Sequence, residues 1–446
     1  MSLRQYLSEI AKGDIVAIEE EVSLRFEMSA VLKKLNQSGG RLAIFNNLKE
    51  APGRRVIGNL LSTRERMALA FGTTVDKLGE TYLERRKTRV DSKLVDSAEV
   101  KEVVHKDPDL ESILPLPVLH AKDAGPYITA GLLTARDPST GVQSMGIHRL
   151  QIKNGKELRI FLANPPISEF FNRAESENKP LEVAIAIGCH PLLFLAAVTR
   201  ADKGNPDKFK IAGGLRQRPV EMVQAETVDL RVPTGAEIII EGKILPGRRE
   251  KEGPFGESSG YYFTNNSQVI EVTAVTHRRD FLFQVIYPWG NEIDNLFSLT
   301  LGQELLLNLK KTNPRVKDVS LIPGTCGFHA VLSVSYMSKE EVRELMELGL
   351  KYNPRIKQLV IVDDDVDIYD RREVDWALAT RFQAHRDVLI LDSKGYVIDP
   401  SLKEGEKSSS MALDATKPEQ GEKFEKISIP AESVARAEEI LNSYKL

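Results

Sequence analysis

The chain of 446 residues carries 61 Lys and Arg against 64 Asp and Glu, a net charge of -3. That balance gives no global electrostatic case for nucleic acid or an anionic membrane surface as a partner. Hydrophobic residues at 41% and charged residues at 28% are ordinary for a globular protein, and the length alone predicts roughly two to three domains.

Residues 1 to about 115 mix helical periodicity with short strands. Residues 29–36 read as a helix stopped by Ser38-Gly39-Gly40, and 41–46 as a strand. A charged stretch over 85–109 ends at Pro115 and Pro117. From there to about residue 300 strands dominate, with 181–188 and 237–242 as clear cases. Asn154-Gly155 between two apolar runs predicts a hairpin, with Arg149 at a strand start. A helix-like segment at 302–309 opens an alternating strand and helix region, in which Ser338 and Glu341 form a capping box for a helix running to about Tyr352. Residues 358–362 read as a buried strand ending in Asp363-Asp364-Asp365. The expected division is therefore 1–115, 116–300 and 301–446, with no internal repeat.

Two cysteines, Cys189 and Cys326, offer no disulfide framework and fit a reducing cytoplasm. No apolar run reaches the ~20 residues of a membrane-spanning helix, and the first residues lack the basic start and long apolar stretch of a signal peptide. The seven histidines show no H-E-x-x-H spacing, and Ala212-Gly213-Gly214 is not a dinucleotide fingerprint. The three aspartates admit a divalent-cation reading. Capping of the next helix and pairing with Arg371, Arg372 or Arg381 is the favoured one.

The most informative chemistry lies in Glu252-Gly253-Pro254-Phe255-Gly256-Glu257, which is expected to be a strand-to-loop bend after a strand at 236–245. Proline and glycine restrict and permit backbone conformations there, so two acids can face one cavity. Like charge and desolvation would push their proton affinities apart and leave one able to donate near neutral pH. Taken alone, such a stretch is more often an acidic surface turn. Upstream, Ser144-Met145-Gly146-Ile147-His148-Arg149 supplies a guanidinium that can clamp a carboxylate. Taken alone, that arginine is a surface ion-pair residue.

Several motifs in order carry a resemblance. S-M-G-I-H-R, the loop from Glu252 to Glu257, the run from Val362 to Asp367, Leu413-Asp414-Ala415-Thr416, and the openings L-R-Q-Y-L and R-V-I-G-N-L-L-S-T-R-E-R together resemble the UbiD-like decarboxylases, the 3-polyprenyl-4-hydroxybenzoate carboxy-lyase family. The resemblance spans nearly the whole chain. It implies an α+β fold with a central split β-barrel of flavin-binding type, flanked by N-terminal and C-terminal α/β regions, the latter used for oligomerisation. It also implies reversible decarboxylation of an α,β-unsaturated or aromatic acid on prenylated FMN. A flavin prenyltransferase would supply the cofactor, and the enzyme would be a homodimer or larger homo-oligomer. The family's catalytic arginine and two glutamates fall on Arg149, Glu252 and Glu257, with Glu257 as proton donor. Its cofactor contacts fall on Ser144, Ile147, His148, Asn164 and Lys208.

At the cofactor phosphate the chain departs from the family's pattern. The family uses Mn²⁺ and K⁺, with an asparagine, a histidine and a glutamate holding the divalent ion. Here those positions read Ser144, a segment 162–168 that has Asn164 and no histidine, and Lys208. These residues cannot reproduce an N/O ligand set. Two expectations follow. In one, Lys208 replaces the metal as a fixed positive charge, against a plain alternative of a solvated loop lysine. In the other, the chain is a non-flavin structural or partner subunit of a multi-subunit carboxylase.

Overall fold

The computed structural model describes residues 2–202, 204–403, 405–418 and 424–443. The chain forms two compact units, one of residues 1–305, 321–329 and 394–408, the other of 306–320, 330–393 and 409–446.

In the first unit a four-stranded sheet runs in the order Ile15–Ile18, Leu42–Phe45, Arg55–Gly58, Leu282–Val285. The helix Glu27–Gln37 buries Met28, Ser29 and Leu32, one stripe at the three- and four-residue spacing of an amphipathic helix. Leu32 packs so closely on Gly58 that a Cβ there would lie 2.6 Å from its methyl group.

The larger sheet of this unit closes on itself. Its order is Ile238–Gly256, Leu181–Ile187, Tyr127–Arg136, Gln143–Asn154, Glu157–Ile160 and Tyr262–His277, which pairs back onto Ile238–Gly256. The short strand Val103–Lys106 adds to the end of Tyr262–His277. Strand residues alternate between faces, and here both faces are covered. Ala184 and Ala186 join one apolar cluster, while Val183, Ile185 and Ile187 join the other. Double-sided burial explains why 181–187 reads as an unbroken apolar run. The helices Pro191–Val198 and Lys208–Arg216 pack against the strand Gln143–Asn154.

Three expectations change in the ring. Arg149 is in the interior of the strand Gln143–Asn154, not at a strand start. The hairpin turns on Gly155-Lys156, with Asn154 paired to Glu157. Asn154 accepts the Lys156 N–H through its side chain at 2.9 Å, so it ends the strand and caps the turn. The strand expected over 236–245 continues as Ile238–Gly256 and carries the Glu252 to Glu257 motif in its own last residues. Register shifts after Ile244 and after Glu252 absorb the irregular stretches. After residue 290 the helix also begins earlier than its periodicity suggests, as Asn291–Phe297, a π turn and then Gln303–Thr312.

The second unit is built on a five-stranded sheet ordered Val316–Leu321, His329–Val334, Gln358–Asp363, Ser408–Asp414, Val388–Ser393. Its helix Lys339–Tyr352 starts with the full capping box of Ser338 and Glu341. The aspartate run serves ion pairing. Arg381 binds Asp363 at 3.0 Å and Asp365 at 2.9 Å. The next helix, Arg371–Arg381, takes Asp370 as its cap instead of any of the three. Among the described residues no helix is long and apolar enough to cross a membrane.

Candidate active site

Arg149, Glu252 and Glu257 meet. The Arg149 guanidinium donates from Nε to Glu252 Oε1 at 3.1 Å and from Nη2 to Glu252 Oε2 at 3.0 Å, a two-point grip. Its remaining Nη1 donates to Glu257 Oε1. The side chains are 14% exposed for Arg149, 1% for Glu252 and 11% for Glu257, so these are partly desolvated pairs and not surface contacts. Burial opposes the charge on Arg149, but Glu257 and Glu252 outweigh it and hold the guanidinium charged above its usual range. Phe161 and Phe255 lie 5.4 and 5.2 Å from the guanidinium carbon, ring centroid to carbon, and wall the cation in.

The backbone around the acids is held from several directions. Gly253 has φ of +96°, and a Cβ there would lie 2.5 Å from the Phe263 carbonyl oxygen, so glycine is required. Gly253 N–H donates to Gln151 Oε1 at 3.2 Å, Gly256 N–H to Asp123 Oδ1 at 2.9 Å, and Ala124 N–H to the Pro254 carbonyl at 2.8 Å. Ser258 N–H donates to Glu257 Oε2 at 3.2 Å. Asn265 faces Glu252 across the strand pair and donates to its Oε2 at 3.4 Å. Tyr127 packs on Phe255 with centroids 4.3 Å apart. Burial and the neighbouring Glu252 keep its phenol protonated well above the usual tyrosine range.

The sequence alone did not single out Tyr127, Asn265, Asp123 or Gln151. Gln151 was within reach, since it lies two residues beyond Arg149 on the same strand face. Asn265 depends on the register of the 238–256 and 262–277 pair, and Asp123 on a loop that approaches from outside the hairpin.

The expected cofactor-binding residues separate into a group and an outlier. Ser144 is fully buried and its hydroxyl donates to the Pro206 carbonyl. His148 is 6% exposed, and burial followed by the charge of Lys208 pushes its imidazole down to about 4, so the ring is neutral at physiological pH. Lys208 opens the helix Lys208–Arg216 and is 6% exposed, which overturns the solvated-loop reading. Its Nζ donates to the Ala197 carbonyl at 2.5 Å, and burial lowers its ammonium to about 8. Ile147 is part-buried on the same strand. Asn164 is exposed, and nothing places it with the others. Among the described residues no group of three or more His, Cys, Asp or Glu is arranged to hold a metal ion. The donor set beside Lys208 is an ammonium, a neutral imidazole and a hydroxyl, which does not fit Mn²⁺.

Comparison with known proteins places this geometry in context. Three models of 3-octaprenyl-4-hydroxybenzoate carboxy-lyase match, the N-terminal domain over residues 10–86, the Rift-related domain over 93–291 and the C-terminal domain over 295–415. An anhydromevalonate phosphate decarboxylase of Methanothermobacter thermautotrophicus is 32% identical over 432 residues, 96% of this chain and 99% of the relative. The UbiD-class enzyme HmfF from Pelotomaculum thermopropionicum in complex with FMN superposes with a TM-score of 0.92 at 40% identity, covering 98% of this chain and 100% of that one. An evolved dimeric form of HmfF in complex with prFMN gives 0.88 at 38% identity, over 97% and 98% of the two chains. The mixed α/β fold is that of UbiD-class structures. With models covering its N-terminal, central and C-terminal parts in order, the chain belongs to the UbiD family of carboxy-lyases.

Proposed function

We propose that this chain decarboxylates, reversibly, an α,β-unsaturated or aromatic carboxylic acid with prenylated FMN bound at its ring of strands, used as a split β-barrel. The observation that carries the reading is the seizure of Arg149 by both Glu252 and Glu257. Prenylated FMN, as in the related HmfF complex, supplies the electron sink for loss of carbon dioxide. The protein supplies charge, orientation and a proton.

Glu252 occupies Nε and Nη2 of Arg149, which leaves Nη1 as the nitrogen open to exchange. A substrate carboxylate competes with Glu257 for that nitrogen, while Glu252 keeps the guanidinium in place. Displaced from the guanidinium, the Glu257 carboxylate takes up a proton from solvent water. It then stands beside the carboxylate that displaced it and delivers the proton to the carbon left when carbon dioxide departs. In the carboxylation direction the same group removes that proton. A positioned acid of this kind is typically worth roughly a hundred- to ten-thousand-fold in rate. Asn265 holds Glu252, Tyr127 packs on the Phe255 that lies between the two acids, and Asp123 and Gln151 hold the backbone around them.

The flavin comes from a prenyltransferase, and the working form is a homodimer or larger, with residues 301–446 as the candidate oligomerising region. The test is co-production with a flavin prenyltransferase, followed by absorbance and by carbon dioxide release from a panel of acids. That panel includes cinnamic- and hydroxybenzoic-type acids and anhydromevalonate phosphate, the compound in the relative's name. A coloured protein that releases carbon dioxide from one class is the expected result. A colourless protein inert on every acid would sink the reading and favour a non-catalytic subunit of a carboxylase.

A further inference from the structure

Lys208 has an electrostatic situation that the rest of the fold explains only in part. Buried ammonium groups are normally paired with a carboxylate, and among the described residues none pairs with this one. Its hydrogen bond goes to the carbonyl of Ala197 in the last turn of the helix Pro191–Val198, whose partial negative end offsets only part of a full charge. The helix it opens does not need it, because Asp207 already caps that end, accepting from Phe209 N–H at 2.9 Å and Lys210 N–H at 3.2 Å. The charge of Lys208 also reaches His148, whose ring is held neutral first by burial and then by that ammonium. An ammonium buried at this depth without a counter-ion costs free energy. An anionic ligand recovers that cost, whereas a divalent cation would add to it.

We infer that Lys208 anchors the phosphate of the flavin and that this enzyme holds its cofactor without a divalent metal. The inference rests on the flavin-dependent reading above. Geometry points to it independently of any titration: the cation is buried, its helix packs on the strand that carries Ser144, His148 and Arg149, Ser144 bonds the Pro206 carbonyl two residues before it, and the described residues contain no metal-ligand cluster. The lysine acts as a point charge on phosphate oxygen. It is a binding residue with no part in the proton transfer.

The experiment titrates apo protein, metal-stripped with EDTA, with FMN and separately with riboflavin, reading flavin fluorescence. Bound metal is measured in parallel by elemental analysis. FMN is expected to bind more tightly than riboflavin by about 10- to 100-fold, the range of one charge-assisted hydrogen bond. Adding MnCl₂ leaves both affinities unchanged. Lys208→Met removes the preference for FMN, and Lys208→Arg restores most of it. The arginine variant and the riboflavin titration show that the methionine variant is folded. FMN binding that requires manganese, or a Lys208→Met protein that still prefers FMN, would overturn the inference and leave the flavin-dependent reading standing. No binding of either flavin in either buffer would overturn both.

Discussion

Two cations are buried along the strand Gln143–Asn154, and the fold treats them in opposite ways. Arg149 is satisfied within the protein: two carboxylates take all three of its terminal and ε nitrogens. Lys208, against the same strand, has a carbonyl and a neutral imidazole beside it. The residue types suit these roles. Arginine is always charged and matches a carboxylate in two points, so it can be buried with acids as a standing ion pair. A lysine is a single charge whose proton affinity moves with its surroundings, so its burial leaves an incomplete site. At Arg149 a ligand must break an existing contact. At Lys208 it supplies the missing one.

The hardest break of the comparison is chemical. Glu257→Gln keeps the shape of the Arg149 contact and removes the transferable proton, so turnover should fall by about a hundred- to ten-thousand-fold with the melting temperature retained. Turnover at the wild-type level would remove Glu257 from the proton path. Arg149→Met should cost about 3 to 5 kcal/mol in denaturant unfolding, because Glu252 and Glu257 remain buried without their cation. A loss below 1 kcal/mol would mean that water reaches these acids.

Lys208 carries the opposite sign. Its ammonium is lowered to about 8 from an ordinary 10.5. Between those values the unfolded chain keeps the proton and the native chain does not, so apo-protein stability should rise with pH across that window through this group. Below about pH 8 both states are protonated and the buried charge weighs fully against folding. Lys208→Met should therefore lack this rise, which thermal melts of wild type and variant from pH 7 to 10 would detect. FMN affinity should fall by up to about tenfold per unit above pH 8, and a flat profile would exclude the ammonium from binding. The smallest effect is in the second unit, where Ser338→Ala removes one half of a capping box at the cost of about 1 kcal/mol. Urea unfolding would show it.

Much of the site was legible because its parts are local. The Glu252 to Glu257 spacing, the glycine and proline between them, and Arg149 all appear in short motifs, and the structure joins them. The Ser338 and Glu341 box is likewise contained within four residues. The expectations that changed depended on more distant chain. Whether the motif follows a strand or ends one depends on Tyr262–His277, which pairs with it and extends Ile238–Gly256 to its last residue. Whether Lys208 is solvated depends on the packing of its helix against the strand Gln143–Asn154.

By itself, the amino-acid order determined which residue types stand at which spacing, and with them the family, the spacing of the acid pair and a serine, an asparagine and a lysine at 144, 164 and 208. Those properties are intrinsic to covalent neighbours. Only the tertiary structure decided that Arg149 lies between both acids, that Asn265 holds Glu252 and Asp123 the backbone at Gly256, and that Lys208 is buried. Burial, strand register and the meeting of charges far apart in sequence depend on the whole ring closing, and electrostatic worth in a protein is set by that surrounding.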